Sequence, residues 1–268
     1  MIETLRPGVT AKRARFVLFD FDGTVSLIRS GWVEVMVPMM VEVLTELKTG
    51  EREEALRALV EDFVARLTGK QTIYQMIELA RQVALRGGKP EDPLVYKRRY
   101  LRLLHDKIRH RIEKLRKGEV PPEKYLVPGV RDVLENLRDR GLTMFLASGT
   151  DQEYMREEAR LLDVERYFDG GVFGALDDYK SFSKKILIQR VISSANCSGE
   201  EFLGFGDGYV EIENIKEVGG VAVGVATAEP ECSTVNEWKR KRLVGVGADY
   251  IIPNFLCCQE LLRTLFPK

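Results

Sequence analysis

The chain has 268 residues, of which 41 are basic, 41 acidic, 44% hydrophobic and 31% charged. That balance excludes a disordered chain, and zero formal charge argues against nucleic acid or an anionic membrane held by bulk electrostatics. No run approaches the roughly 20 apolar residues of a membrane span. Met1–Arg15 lacks the apolar stretch of a secretory signal. Four scattered cysteines form neither a disulfide framework nor a zinc spacing, so the expectation is a soluble protein of the reducing cytoplasm.

Phe16-Val-Leu-Phe19 reads as a buried strand feeding an acidic, glycine-containing loop. The segment that follows, Leu27–Lys124, has long helical patterns and no strand. Val33–Leu47 is strongly apolar, Glu51–Leu67 and Ile73–Leu85 are amphipathic, and Pro93–Lys117 carries a stripe at Leu101, Leu104, Ile108, Ile112 and Leu115. A crossover usually needs only about a dozen residues or somewhat more. About a hundred helical residues therefore predict a separate helical domain spliced in at 27–124, with 1–26 and 125–268 forming the parent domain. Pro121-Pro122 and Val127-Pro-Gly129 mark the return.

Beyond it a regular alternation begins. Strands are predicted at Leu142–Ala147, Gly171–Phe173, Phe202–Phe205, Val221–Val225 and Tyr250–Ile252. Helices are predicted at Asp151–Leu162, Ser183–Ser194, Val210–Val218, Val235–Leu243 and Phe255–Leu265. Such alternation predicts an α/β, Rossmann-like three-layer architecture, a parallel sheet covered on both faces.

The acidic loop after the first strand is Asp20-Phe-Asp22-Gly-Thr24. Residues two apart in an extended segment point the same way. Asp20 and Asp22 therefore leave the carboxyl end of a buried strand together, where open α/β sheets bind ligands. Two such carboxylates repel unless a cation or proton intervenes, and a hard divalent ion such as magnesium fits. After the Leu142–Ala147 strand come Ser148, a hydroxyl suited to a phosphate oxygen, and Gly149, which leaves backbone amides accessible. After Phe202–Phe205 comes Gly206-Asp207-Gly208-Tyr-Val-Glu211, in which Asp207 and Glu211 can face one metal site. Lys180, Lys184 and Lys185 offer a compensating cation.

In this order, Phe19-Asp20-Phe-Asp22-Gly-Thr24-Val, Phe145-Leu-Ala-Ser148, Ser183-Lys184-Lys-Ile-Leu187 and Gly206-Asp207-Gly-Tyr-Val-Glu211 resemble the haloacid dehalogenase-like superfamily, chiefly its phosphatases. A helical insertion after the first motif resembles the cap of the phosphoglycolate phosphatase-like members. The resemblance implies an aspartyl-phosphate on Asp20, with Asp22 as acid and then base. It implies magnesium on Asp20, the Asp22 carbonyl and Asp207, with Glu211 as ligand or neighbour. Ser148 and a lysine would hold the phosphoryl group, Lys184 as the better match and Lys180 as the runner-up. Thr24 and Gly149 are further substrate contacts in this reading. The cap would close over a small phosphorylated metabolite and select its organic part. Glu211 stands where an aspartate is usual, and the Lys-Pro of many relatives is missing. A phosphomutase of the same superfamily and a non-catalytic phospho-ligand-binding protein are the alternatives.

Gly69-Lys70-Gln71-Thr72 is no phosphate-binding P-loop, since no strand precedes it; it reads first as a plain interhelical turn, with Lys70 and Gln71 as candidate substrate contacts if the loop stands over the site. Lys97–Lys117 has ten basic and two acidic residues. The flanking apolar stripe makes it a solvated helix face rather than a polynucleotide platform.

Overall fold

The computed structural model describes residues 2–176, 178 and 183–268. It divides into two compact units, Gly31–Arg111 and the combination of Met1–Ser30 with Ile112–Lys268.

The Gly31–Arg111 unit is helical: α1 (Val33–Thr45), α2 (Glu53–Leu67), α3 (Thr72–Leu85) and most of α4 (Pro93–Arg116). Each helix buries an apolar stripe, Leu56, Val60, Phe63 and Val64 on α2, Ile73, Met76, Leu79 and Val83 on α3. On α4 the stripe within this unit runs through Tyr96, Tyr100, Leu104 and Ile108. Tyr100 takes the buried place expected of Leu101, because a four-residue step keeps one side of a helix facing inward. With both tyrosines buried, the basic face of α4 has no aromatic platform. Its Arg99 and Lys107 instead pair with Glu42 and Glu34 of α1.

The other unit is a seven-stranded sheet in the order β1-β7-β6-β5-β2-β3-β4. The strands are β1 (Glu3–Thr4), β2 (Phe16–Phe19), β3 (Thr143–Asp151), β4 (Gly171–Ala175), β5 (Phe202–Gly206), β6 (Val221–Val225) and β7 (Tyr250–Ile252). The helices are α5 (Val130–Asp139), α6 (Gln152–Leu161), α7 (Lys184–Ala195), α8 (Tyr209–Glu217), α9 (Glu237–Gly245) and α10 (Cys258–Leu265). All pairings are parallel except β1 on β7, which is antiparallel. The sheet is thus mostly rather than wholly parallel. β1 is two residues long, below what hydrophobic alternation can register.

β2 lies between β5 and β3, with Phe16 opposite Phe202 and Thr143. Its alternate residues serve two cores. Phe16 and Leu18 join Leu187, Ile188, Ile212, Ile215 and Leu243 of α7, α8 and α9. Phe19 instead stacks on Phe205 at 4.6 Å, and Phe205 meets Phe255. On the first of these faces β5 presents Phe202 and two glycines. A Cβ at Gly204 would stand 2.4 Å from Ile215 Cγ1, and one at Gly206 2.7 Å from Glu211 Cβ. The missing side chains let α8 lie directly on the strand.

Helix α5 was not anticipated, although Val130, Val133, Leu134 and Leu137 recur at helical spacing and are all fully buried. It begins after Gly129, whose φ of 79° and contact with the Phe255 backbone admit no side chain. β3 also differs. It was expected to end at Ala147 but continues to Asp151, with a register shift against β4 between these residues.

Candidate active site

The chemistry-bearing residues gather beyond the carboxyl ends of β2, β3 and β5. Asp20 follows β2 and leaves on the face of Phe16 and Leu18, the face on which α7 and α8 pack. Lys184, the first residue of α7, therefore meets it: Lys184 Nζ donates to Asp20 Oδ1 at 2.6 Å and also to Glu211 in the first turn of α8. Ser183 prepares this by capping α7, its hydroxyl accepting from the Ile186 amide at 3.1 Å. All three charged groups are buried. Burial pushes the Asp20 carboxyl up to about 7, against the pull of Lys184, and the Asp207 and Asp22 carboxylates push the same way.

Asp22 sits in a tight loop in which Gly23 N donates to Ser26 O and Val25 N to Phe21 O. Its Oδ2 accepts from Ser148 Oγ at 3.0 Å and from Thr150 Oγ1 at 2.8 Å. The Thr150 amide in turn donates to Ser148 Oγ at 3.0 Å. Ser148, Gly149 and Thr150 thus belong to the extended end of β3, not to a loop after it. Among the described residues Asp22 Oδ1 is buried without a hydrogen-bond partner; Arg29 Nε stands 3.9 Å from it. Arg29 itself is locked to Glu158 of α6, with Nη2 to Oε1 at 2.7 Å and Nε to Oε1 at 3.0 Å.

Asp207 comes from the loop after β5. A Cβ on Gly23 would lie 2.3 Å from Asp207 Oδ2 and 3.3 Å from Glu229 Oε1, so the first loop carries glycine where two carboxylates press on it. Lys239 of α9 stands between them, Nζ 2.8 Å from Asp207 Oδ2 and 2.9 Å from Glu229 Oε1. Burial pushes the Asp207 carboxyl up while Lys239 pulls it down.

The structure thus joins Asp20, Asp22, Ser148, Lys184, Asp207 and Glu211 through direct contacts or charge. Thr24 is adjacent but fully buried. Glu211 is engaged with Lys184, not with Asp207. In the helical unit, Lys70 lies over the Tyr74 ring and Gln71 is buried at the start of α3. Lys180 lies outside the described residues. Thr150, Lys239, Glu229 and the Arg29–Glu158 pair were missed. Thr150 carried a signal, standing two residues from Ser148 on one side of an extended chain. Lys239 and Glu229 carried none, since they lie far beyond the last recognisable motif.

The oxygen-rich donor set suits a hard divalent cation. Glu211 Oε2 is buried and unbonded among the described residues, and burial together with two neighbouring carboxylates raises Asp20; a cation here would offset that crowding of negative charge. The residues fit, although among the described residues no three His, Cys, Asp or Glu side chains form a ready-made cage. Among the described residues, Lys184 bonds Asp20 and Glu211, and Lys239 pairs with Asp207 and Glu229.

The described residues include no helix long and apolar enough to cross a membrane. A family model for haloacid dehalogenase-like hydrolases matches residues 14–219. A phosphorylated carbohydrates phosphatase of Thermotoga maritima is 34% identical over 93 residues, 34% of this chain and 42% of that one, so the match spans less than half of that relative. Among solved structures, a predicted phosphoglycolate phosphatase from Haemophilus somnus 129PT aligns with a TM-score of 0.59 at 14% identity, covering 93% of this chain and 98% of its own. A phosphonoacetaldehyde hydrolase-like protein from Oleispira antarctica aligns at 0.60 and 14%, covering 99% of both. A candidate β-phosphoglucomutase from Thermotoga maritima aligns at 0.54 and 21%, covering 92% and 99%. At these identities the structural likeness is one of fold. With the family model matching well over half of its length, the chain belongs to the haloacid dehalogenase-like hydrolases.

Proposed function

We propose that the chain is a magnesium-dependent phosphatase acting on a small phosphorylated metabolite. The observation that carries this reading is the pairing of Asp20, held by Lys184 through one oxygen, with Asp22, held by two hydroxyls through one oxygen. Each carboxylate keeps its other oxygen for chemistry. Asp20 attacks phosphorus with the oxygen that Lys184 does not hold, forming a phosphorus–oxygen bond as the ester oxygen departs. Asp22 gives that oxygen a proton, then takes one from the water that cleaves the aspartyl-phosphate and releases inorganic phosphate. Lys184 and the Ser148 hydroxyl hold the phosphoryl oxygens and offset their charge. Asp20, Asp207 and the Asp22 carbonyl would hold magnesium, which supplies charge neutralisation at the transferring group.

The sugar-phosphate activity named for the Thermotoga relative supports a small phosphorylated substrate for this chain too. The test is phosphate release from a panel of phosphorylated metabolites and p-nitrophenyl phosphate, with and without magnesium and with no bisphosphate activator. Asp20→Asn is expected to abolish release while the melting transition remains cooperative. Undiminished release by that variant would overturn the nucleophile assignment, and release only after adding a bisphosphate would favour a phosphomutase.

A further inference from the structure

Lys239 has no place in the chemistry above, yet it is the one described lysine besides Lys184 that enters this acidic cluster, and it is mostly buried. Its position is built. Asn236 caps α9 by accepting from the Lys239 amide itself at 3.0 Å, fixing the backbone from which the side chain reaches. The ammonium is then shared almost equally by Asp207 and Glu229. Glu229 is close to the Asp20–Thr24 loop as well, 3.3 Å from where a Gly23 Cβ would stand. Glu229 is thus a second carboxylate beside the cluster, and its bonded partner is the same lysine.

We infer that Lys239 is a resident counter-cation that competes with the divalent metal for Asp207, and that Glu229 is the carboxylate that retains Lys239 when Asp207 is given up. This inference rests on the metal reading above and deepens it. A cation at 2.8 Å occupies an oxygen that a metal would need and repels a second positive charge nearby. Removing it frees Asp207 and leaves Glu229 as additional negative charge, so both consequences tighten metal binding. Removing the charge of Glu229 acts in the opposite direction. Negative charge is lost beside the metal, and Lys239 is left with Asp207 alone. The two substitutions therefore have opposite signs, which a purely structural role for the lysine would not produce.

The experiment is calorimetric titration of MgCl2 into the substrate-free full chain, wild type against Lys239→Gln and Glu229→Gln, with circular dichroism melts to show that each is folded. Lys239→Gln is expected to bind magnesium on the order of tenfold more tightly, and Glu229→Gln more weakly by a similar factor, the effect of one charge in a partly buried site. Shifts of the same sign in both variants, or no shift in Lys239→Gln, overturn the inference while the metal reading stands. Absence of magnesium binding by the wild type overturns both. If Lys239→Gln does not fold, Lys239→Arg decides. It keeps the charge and must not tighten binding, and tightening by that variant refutes the competition.

Discussion

The buried pair of Arg29 and Glu158 offers the sharpest test of how this site is supported. Their side chains are 9% and 3% exposed, and two of their contacts are 3.0 Å or shorter. Removing one partner of such a pair costs about 3–5 kcal/mol, because the other charge stays buried. The two halves should respond differently to pH. Burial already holds the Glu158 carboxyl above its usual range despite Arg29. In Arg29→Met it rises further, and the folded chain binds a proton that the unfolded chain has released. For an acid raised in the folded state, stability falls as pH climbs above the ordinary carboxyl value, until the folded group also ionises. The cost of Arg29→Met should therefore be about 1–2 kcal/mol at pH 5 and reach the full range at pH 8. Glu158→Gln takes the paired carboxylate from a guanidinium that does not deprotonate, so its cost should be alike at both. At roughly 2–4 °C per kcal/mol for a unit of this size, the larger losses are on the order of 10 °C. The double variant Arg29→Met, Glu158→Leu should recover most of the loss, since no charge remains to be stranded. Thermal melts by circular dichroism at the two pH values measure all of this. Equal costs of Arg29→Met at pH 5 and pH 8, or a double variant as unstable as both singles together, would refute the reasoning.

Two further outcomes follow from the site and its scaffold. In the proposed reaction Ser148, whose hydroxyl has one proton, cannot serve both Asp22 and a phosphoryl oxygen, and Thr150 would hold Asp22 meanwhile. Thr150→Val should lower kcat about tenfold, the worth of one hydrogen bond to a charged group, with KM within a factor of two and Thr150→Ser restoring the rate; steady-state phosphate release decides, and a change confined to KM would count against this. Gly129→Ala would place a Cβ 2.5 Å from the Phe255 backbone at a φ of 79°. It should destabilise by about 3 kcal/mol, read as a lower urea midpoint; an unchanged midpoint would show that the α5 entry yields.

The sequence reading reached the parallel core because its strands are short apolar runs with acidic or glycine residues at their ends. Asp20, Asp22 and Asp207 stand out as candidates because each follows such an end. Helix α5 has a plain helical period in Val130–Leu137, but the prolines and glycine just before it read as a boundary. β1 was illegible for a different reason. Two residues that gain a strand only by pairing with β7 carry no pattern of their own. Lys239 and Glu229 illustrate the general limit. Their meeting with Asp207 is made by the order of strands in the sheet, not by any spacing along the chain.

The glycine bed under α8 bears on how this scaffold would behave under laboratory evolution. Gly204 and Gly220 both run up against Ile215, and Gly206 against Glu211. A methyl group at any of them lifts the helix, and with it the carboxylate that shares Lys184 with Asp20. The helix-to-sheet gap on that side is set to fit hydrogen atoms, so these positions behave as a ruler for the candidate site. Libraries that randomise the β5–β6 segment would lose most members at these glycines, and productive diversity would be found along the outward-facing residues of α8 and α9 instead.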